Sequence, residues 1–343
     1  MTVRRIAFEL TNRCNLSCLH CLRGDEQARQ DLPKELVVSV LDQARRLGLS
    51  QVAFTGGEPL LHPHFEDIIR AAVERGFQFT FVTNGHLLSR ALPLLSEPAV
   101  KEKLIQMAVS LDGPDAETHD AVRGPGSFRK AMTAIAACHA RSLPTRLKLT
   151  VNQKNLGRLE EMALLAAHLG MKGLDFSHMH PTPDNLREGL MLSPSQWRQV
   201  ESAVARLAGE LKILVGMCAG MYDPDPFYLC ASLNLIDLYV DSRGNLCLCC
   251  MLPAIRGPDP DQPEPDLIAN LAEVDLVEAH VRLVDLVAEF HRHRLRRLAA
   301  GELSELEHFQ CLVCARYFGK LEWLKDFPDS PWAGLVLPGK EPP

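Results

Sequence analysis

The chain has 343 residues, of which 23% are charged and 46% hydrophobic, with a formal net charge of −6. That size accommodates one large α/β domain and a smaller appendage, and the acidic balance gives no electrostatic reason to expect a nucleic-acid partner. No apolar run is long enough to span a bilayer, and the opening segment MTVRRIAFEL lacks the apolar core and cleavage site of a secretion signal. The expected setting is therefore the cytoplasm, with no membrane partner.

Short β-rich runs alternate with amphipathic stretches through the first half of the chain. The expected strands are 6–10, 51–55, 77–83, 104–111, 146–151 and 173–177. Helical spacing fills 34–47, 65–75, 128–141 and 159–169, with Gly48, Gly76 and Gly170 where left-handed caps belong. Six strand–helix repeats imply parallel strands joined by right-handed crossovers. Six strands are too few for a closed eight-fold barrel, so the expected fold is α/β, a partial (β/α)6 barrel over residues 1–192.

In such folds chemistry gathers at the C-terminal ends of the strands, and the suspicious residues fall there. Strand one runs into Cys14, Cys18 and Cys21, and strand two into Thr55-Gly56-Gly57-Glu58-Pro59. Strands three to six run into Thr83-Asn84-Gly85, Ser110-Leu111-Asp112-Gly113, Thr150-Val151-Asn152 and His178-Met179-His180.

Beyond about residue 193 the rhythm changes. A helix at 194–209 leads to a strand at 212–215 and a hairpin, 235–241 with 245–250, turned at Ser242-Arg243-Gly244. Residues 253–266 contain five prolines and read as a loop or lid, and a long helix follows from 273 to about 300. The tail from Asp326 reads as a cap or a disordered end.

Eleven cysteines are too many for chance and too clustered for a disulfide framework, which belongs to small secreted domains. Cys138 alone sits apart and reads as a buried helix residue. Clustered thiols in a reducing compartment point to metal. Three thiolates on one short loop can hold three irons of a [4Fe–4S] cube and leave the fourth open. The alternative, zinc, normally wants a fourth protein ligand.

The segment LTNRCNLSCLHC, residues 10–21, resembles the signature of the radical S-adenosylmethionine (SAM) superfamily, and the resemblance extends to about residue 180. It implies a SAM-binding [4Fe–4S] cluster on Cys14, Cys18 and Cys21, and reductive cleavage of SAM to a 5′-deoxyadenosyl radical. The family's GGEP turn is matched by Gly56, Gly57, Glu58 and Pro59, where backbone groups and the glutamate would receive the SAM amino group. Glycines suit a close approach of backbone to ligand. The stretch from Val109 through Arg123 to Phe128 is similar to one branch, which implies Ser110 and Asp112 at the ribose or methionine end and Arg123 on the SAM carboxylate. Asn152 is a further SAM contact on the same grounds. The family often has an aromatic residue before the third cysteine, whose backbone reads the adenine edge. Here it is His20, and a backbone contact survives that change.

Cys230, Gly244, Cys249 and Cys311-x2-Cys314 resemble the shortened twitch version of the SPASM domain. That resemblance implies a small C-terminal iron–sulfur domain over 193–343 with one auxiliary [4Fe–4S] cluster on Cys230, Cys249, Cys311 and Cys314. Among the crowded Cys247, Cys249 and Cys250, the second best match is Cys247. Strand alternation puts 247 and 249 on one face and 250 on the other, and structural zinc is again the alternative. Cys218 reads as a spare thiol.

His178 and His180 are proton-transfer candidates at the end of strand six, weighed against ordinary hydrogen-bonded rim histidines. The basic run 291–297 reads as a solvated helix face. The leading function is oxidative or crosslinking modification of a peptide or protein by hydrogen-atom abstraction. A strand beginning at residue 3 leaves no leader-binding domain ahead of it. The alternatives are oxidation or rearrangement of a small metabolite or cofactor precursor, and, from another class, a non-enzymatic iron–sulfur or zinc scaffold. The enzyme readings imply an external one-electron reductant of the flavodoxin or ferredoxin kind.

Overall fold

The computed structural model describes residues 4–22, 29–218, 220, 222–255 and 264–337. Six strands appear where sequence patterning places them: β1 (Arg5–Thr11), β2 (Gln51–Gly56), β3 (Gln78–Thr83), β4 (Leu104–Ser110), β5 (Thr145–Thr150) and β6 (Gly173–Ser177). They pair in sequence order, all parallel. Large apolar side chains on one face lie under the helices, as with Ile6, Phe8 and Leu10 of β1, which are fully buried. Phe8 and Phe54 stand in register across β1 and β2, their ring centroids 6.3 Å apart. Burying such a ring contributes roughly 1.5–3 kcal/mol.

The helix Lys34–Arg46 shows why the connections are helical. Its buried residues, Val37, Val40, Leu41 and Ala44, repeat at three- and four-residue spacing, one stripe against the sheet. Between β3 and β4 stand two helices that patterning did not indicate, Leu88–Ser96 and Pro98–Lys103. Pro93 lies inside the first of them, and Pro98 occupies the first turn of the second, where a missing N–H costs nothing.

Strands from beyond residue 192 continue the same sheet at both edges. β7 (Leu214–Met217) lies parallel to β6, and β8 (Asp237–Val240) lies parallel to β1. β9 (Asn245–Cys247) and β10 (Leu267–Asn270) follow antiparallel, giving ten strands in the order β10-β9-β8-β1-β2-β3-β4-β5-β6-β7. The β1–β8 seam is secured by an Arg5–Asp237 ion pair and by Tyr239, whose hydroxyl donates to Glu9 Oε2 at 2.9 Å.

The expected hairpin forms but is shorter. Because β9 ends at Cys247, strand alternation does not govern Cys249 and Cys250. Of the proline-rich stretch, residues 256–263 lie outside the described residues, as do 338–343 of the tail. The rest of the tail packs as a cap: Trp332 is fully buried and its Nε1–H donates to the Leu192 carbonyl at 3.0 Å. Among the described residues no helix is long and apolar enough to cross a membrane.

Candidate functional site

The three-cysteine loop is anchored before it begins to curve. Thr11 bridges Asp31, Asn12 exchanges hydrogen bonds with Gln30, and Arg13 pairs with Asp31 while donating to the Leu61 carbonyl at 2.9 Å. The far end is held by Leu19, whose N–H donates to the Val122 carbonyl at 3.0 Å. Within the loop the Cys21 N–H closes on the Cys18 carbonyl at 3.0 Å.

The GGEP turn lies directly on this anchor. Gly57 N–H donates to the Thr11 carbonyl at 2.7 Å, and Glu58 N–H to the Arg13 carbonyl at 2.8 Å. A Cβ on Gly57 would overlap the Arg13 carbonyl oxygen and stand 2.5 Å from its carbon. Here the glycine is demanded by a neighbouring stretch of the same chain. Glu58 is fully buried; its carboxylate accepts from the Thr83 hydroxyl at 2.8 Å, the Asn84 N–H at 2.7 Å and the Leu60 N–H at 3.3 Å. Burial pushes its pKa up to about 7, opposed by those donors.

Asn84 then reaches the loop itself. Its Nδ2 donates to Asn15 Oδ1 at 2.8 Å and stands 3.8 Å from the Cys14 sulfur. Opposite, Arg123 pairs with Asp112, and its guanidinium stands 4.0 Å from the Cys18 sulfur. Asp112 is fully buried. Burial acts to raise its pKa, but Arg123, His20 and the Thr150 N–H together hold the carboxyl below its usual range. Thr150 N–H donates to Asp112 Oδ1 at 2.8 Å, and His20 Nε2 lies 3.7 Å from Oδ2. Burial likewise pushes the Cys18 thiol up to about 11, with Arg123 opposing. Ser110, buried, ends β4 on the same rim.

Asn152 is buried, and its side chain is spent inside the loop after β5, donating to the Thr150 carbonyl at 2.9 Å and accepting from Lys154 N–H at 2.9 Å. Two residues to which sequence reasoning assigned no role, His119 of the Val109–Phe128 stretch and Asn155, hold the loop that follows β4. Asn155 donates from Nδ2 to the carbonyls of Asp112 (3.0 Å) and Thr150 (2.9 Å), and His119 Nδ1 accepts from the Asp112 N–H at 3.0 Å. Asn155 carried one faint signal, a second turn-forming Asn three residues after Asn152.

The C-terminal thiols converge on the same rim. A cavity of about 440 Å³ is lined by Cys21 of the loop and by Cys218, Cys230, Cys249, Cys250, Cys311 and Cys314. Thr150, Ser177, His178 and His180 contribute the β5 and β6 side of the wall. Lys148 is its one ammonium, and among the described residues no carboxylate lines it. Burial raises the pKa of Cys311 and Cys314 well above the thiol range, and neighbouring thiols, Cys230 and Cys249 among them, push in the same direction. Cys247 is buried outside the cavity, its Sγ on the Asn245 carbonyl at 3.3 Å. Cys218 accepts from the Ser177 hydroxyl at 3.4 Å, and Cys138 is buried in its helix.

Both strand-six histidines are buried. His178 Nε2 lies 3.6 Å from the Cys311 sulfur, and neither nitrogen of His180 has a hydrogen-bond partner among the described residues. Burial holds His178 down to about 4 and His180 well below the usual imidazole value.

Residues 8–166 match the Radical SAM superfamily. The chain is 31% identical over 224 residues to an AdoMet-dependent heme synthase of Methanosarcina barkeri, covering 64% of this chain and 63% of that protein. It is 29% identical over 197 residues to the mycofactocin maturase MftC of Mycolicibacterium smegmatis, covering 53% and 50% respectively. The matched stretches thus span about half to two thirds of the length of these relatives. Among solved structures, native anSMEcpe with bound AdoMet and Kp18Cys peptide shares the fold, with a TM-score of 0.64 at 14% identity over 98% of this chain and 100% of that one. The matched region contains the cysteine loop, the GGEP turn clasped to it and the first five strands of the parallel sheet, and the chain belongs to the radical SAM superfamily.

Proposed function

We propose that this chain reductively cleaves SAM and abstracts a hydrogen atom from a substrate held in the thiol-lined cavity. The observation that carries the reading is that one cavity wall includes both Cys21 of the N-terminal loop and the C-terminal set Cys230, Cys249, Cys311 and Cys314. A substrate there would lie between two sites of iron–sulfur chemistry. The donor sets fit: three thiols suit an open [4Fe–4S] cube, four suit a closed one, and buried thiols with raised pKa values await a cation that deprotonates them on binding.

The SAM-binding cluster would supply an electron to the sulfonium, and the protein's own part is to position and to exclude water. In this reading SAM sits against the cysteine loop beside the cavity, met by the backbone around Gly56, Gly57 and His20 and by Glu58, Ser110, Asp112 and Arg123, with Asn152 shaping the loop after β5; of these His20 also lines the cavity. The C-terminal part, from about residue 193, is read as a twitch-type extension whose auxiliary cluster accepts the electron left on the substrate. A flavodoxin- or ferredoxin-like donor would deliver the reducing electron.

For the substrate we favour a peptide or protein segment, supported by the shared fold of anSMEcpe, whose structure has both AdoMet and a peptide bound. The lining, with Lys148 and no carboxylate among the described residues, suits a neutral or anionic reacting group. Modification of a small cofactor precursor is the second reading, supported by the likeness to the heme synthase.

The test is anaerobic reconstitution followed by assay with dithionite and SAM. The protein is expected to yield 5′-deoxyadenosine slowly without substrate, and Cys311→Ala/Cys314→Ala is expected to keep that cleavage while losing oxidised product. A wild type that forms no 5′-deoxyadenosine overturns the reading.

A further inference from the structure

Sequence puts His178 at the end of β6 and Cys311 at the start of the helix Gln310–Tyr317, more than a hundred residues apart. The fold closes them to 3.6 Å between Nε2 and Sγ. Gly220 completes the arrangement. Its carbonyl accepts the Cys311 N–H at 2.7 Å, and a Cβ there would overlap the Cys311 sulfur and stand 3.1 Å from His178 Cε1. Glycine at 220 therefore allows the imidazole and the thiol to meet.

The contact has a direction. Among the described residues Nδ1 of His178 has no well-formed hydrogen bond, and the polar groups near the ring are the Cys311 sulfur and the Cys218 backbone. A neutral imidazole carries one N–H. With that proton on Nε2 the ring donates to the sulfur; with it on Nδ1, a lone pair would face a negative thiolate. The Cys218 sulfur, on the same cavity wall, accepts instead from the Ser177 hydroxyl.

We infer that His178 is a positioning residue for the auxiliary cluster, donating Nε2–H to the Cys311 thiolate and thereby raising that cluster's reduction potential. The inference rests on the proposed ligation by Cys230, Cys249, Cys311 and Cys314. Hydrogen bonds to cluster sulfurs draw charge from the iron and stabilise the reduced form, which is one of the levers a protein has on such potentials. The barrel strand that borders the cavity would thus make the cluster a better electron acceptor. His180, its ring 5.0 Å from that of His178, offers a competing arrangement, since donor atoms of His178, His180 and Cys311 all lie within 4.8 Å of one another. That trio could hold a separate metal ion, so the experiment must tell the two apart.

The experiment is an EPR-monitored redox titration of the full, anaerobically reconstituted chain, with metal analysis. The auxiliary signal is the one that added SAM leaves unchanged. His178→Leu is expected to shift its potential downward with iron content unchanged. His178→Gln, whose Nε2–H can take the place of the imidazole donor, is expected to restore it. Gly220→Ala, which forces the pair apart while leaving both residues present, is expected to lower it as His178→Leu does. An unmoved potential in His178→Leu overturns the inference, as does loss of about half the iron, which would make the histidine a ligand. Stoichiometric zinc that disappears in His178→Leu and His180→Leu also overturns it, in favour of a separate metal site. A wild type holding only about four irons overturns the cluster reading itself, and the inference with it.

Discussion

Gly57 lies flat against the backbone of Arg13, so close that a methyl group would overlap the Arg13 carbonyl oxygen. The clasp formed by the Gly57 and Glu58 N–H groups joins the end of β2 to the root of the cysteine loop. Gly57→Ala must displace backbone on one side or the other, at roughly 1–3 kcal/mol as overpacking goes. The expected result is a lowered melting temperature and loss of about four of the reconstituted irons, those of the loop. Normal iron content and an unchanged melting temperature would show that the clasp yields freely.

Arg123 serves two neighbours, the Asp112 carboxylate and the Cys18 sulfur. Arg123→Ala would leave Asp112 ionised, fully buried and without its cation. Breaking such a pair costs on the order of 3–5 kcal/mol, so urea melts should show a large loss of stability. SAM affinity should fall as well, by on the order of 10- to 150-fold if one charge-assisted contact of about 1.5–3 kcal/mol is lost. Equilibrium dialysis against SAM decides the second point. Unchanged affinity in a destabilised protein would leave Arg123 with a purely structural part.

The six parallel strands and the residues on their C-terminal rim were legible because each is local. A β-rich run, a glycine cap and a short motif declare themselves within a dozen residues. What the sequence could not disclose was pairing across long separations. Nothing local says that Asp237 meets Arg5, or that β7 and β8 extend opposite edges of one sheet. The motif glycines were legible as close-approach positions, but the approaching partner, residues 11–13, was not. His119 and Asn155 escaped for a similar reason. Both bond the backbone of Asp112, just beyond β4, and Asn155 also reaches the Thr150 carbonyl at the end of β5, contacts that appear only once the chain is folded.

The crowded cysteines of the hairpin yield to the same logic. Cys247 is fully buried with its thiol on the Asn245 carbonyl, whereas Cys249 and Cys250 line the cavity. Cys247→Ala is expected to leave about eight irons per reconstituted chain, and Cys249→Ala about four. Replacing Cys14, Cys18 and Cys21 together should also leave about four, so the combination of both changes should leave almost none. Iron loss in Cys247→Ala with none in Cys249→Ala would reverse the assignment.

His119 gives the fold a pH dependence whose sign follows from its surroundings. Burial pushes its pKa down to about 4 although Asp112 pulls the other way, and its Nδ1 is occupied as an acceptor from the Asp112 N–H. Between about 6.5 and 4 the unfolded chain takes up a proton that the folded ring refuses. The unfolded state then binds more protons, so stability rises with pH across that window. The contribution is complete above 6.5 and is lost as the pH falls towards 4. At about 1.4 kcal/mol per unit of pKa difference, the full effect is on the order of 3 kcal/mol. Glu58 works in the opposite sense, because burial raises its folded pKa to about 7 and its contribution therefore shrinks as the pH rises. Comparing the wild type with His119→Asn cancels that term. Asn can still accept the Asp112 N–H through Oδ1 but does not titrate. Urea melts of the cluster-free chain at pH 7 and pH 4.5 should show the wild type losing about 2–3 kcal/mol more than the variant. Equal losses in the two proteins would mean that His119 is protonated in the folded state well above pH 4, and that its ring is far more open to water than its burial implies.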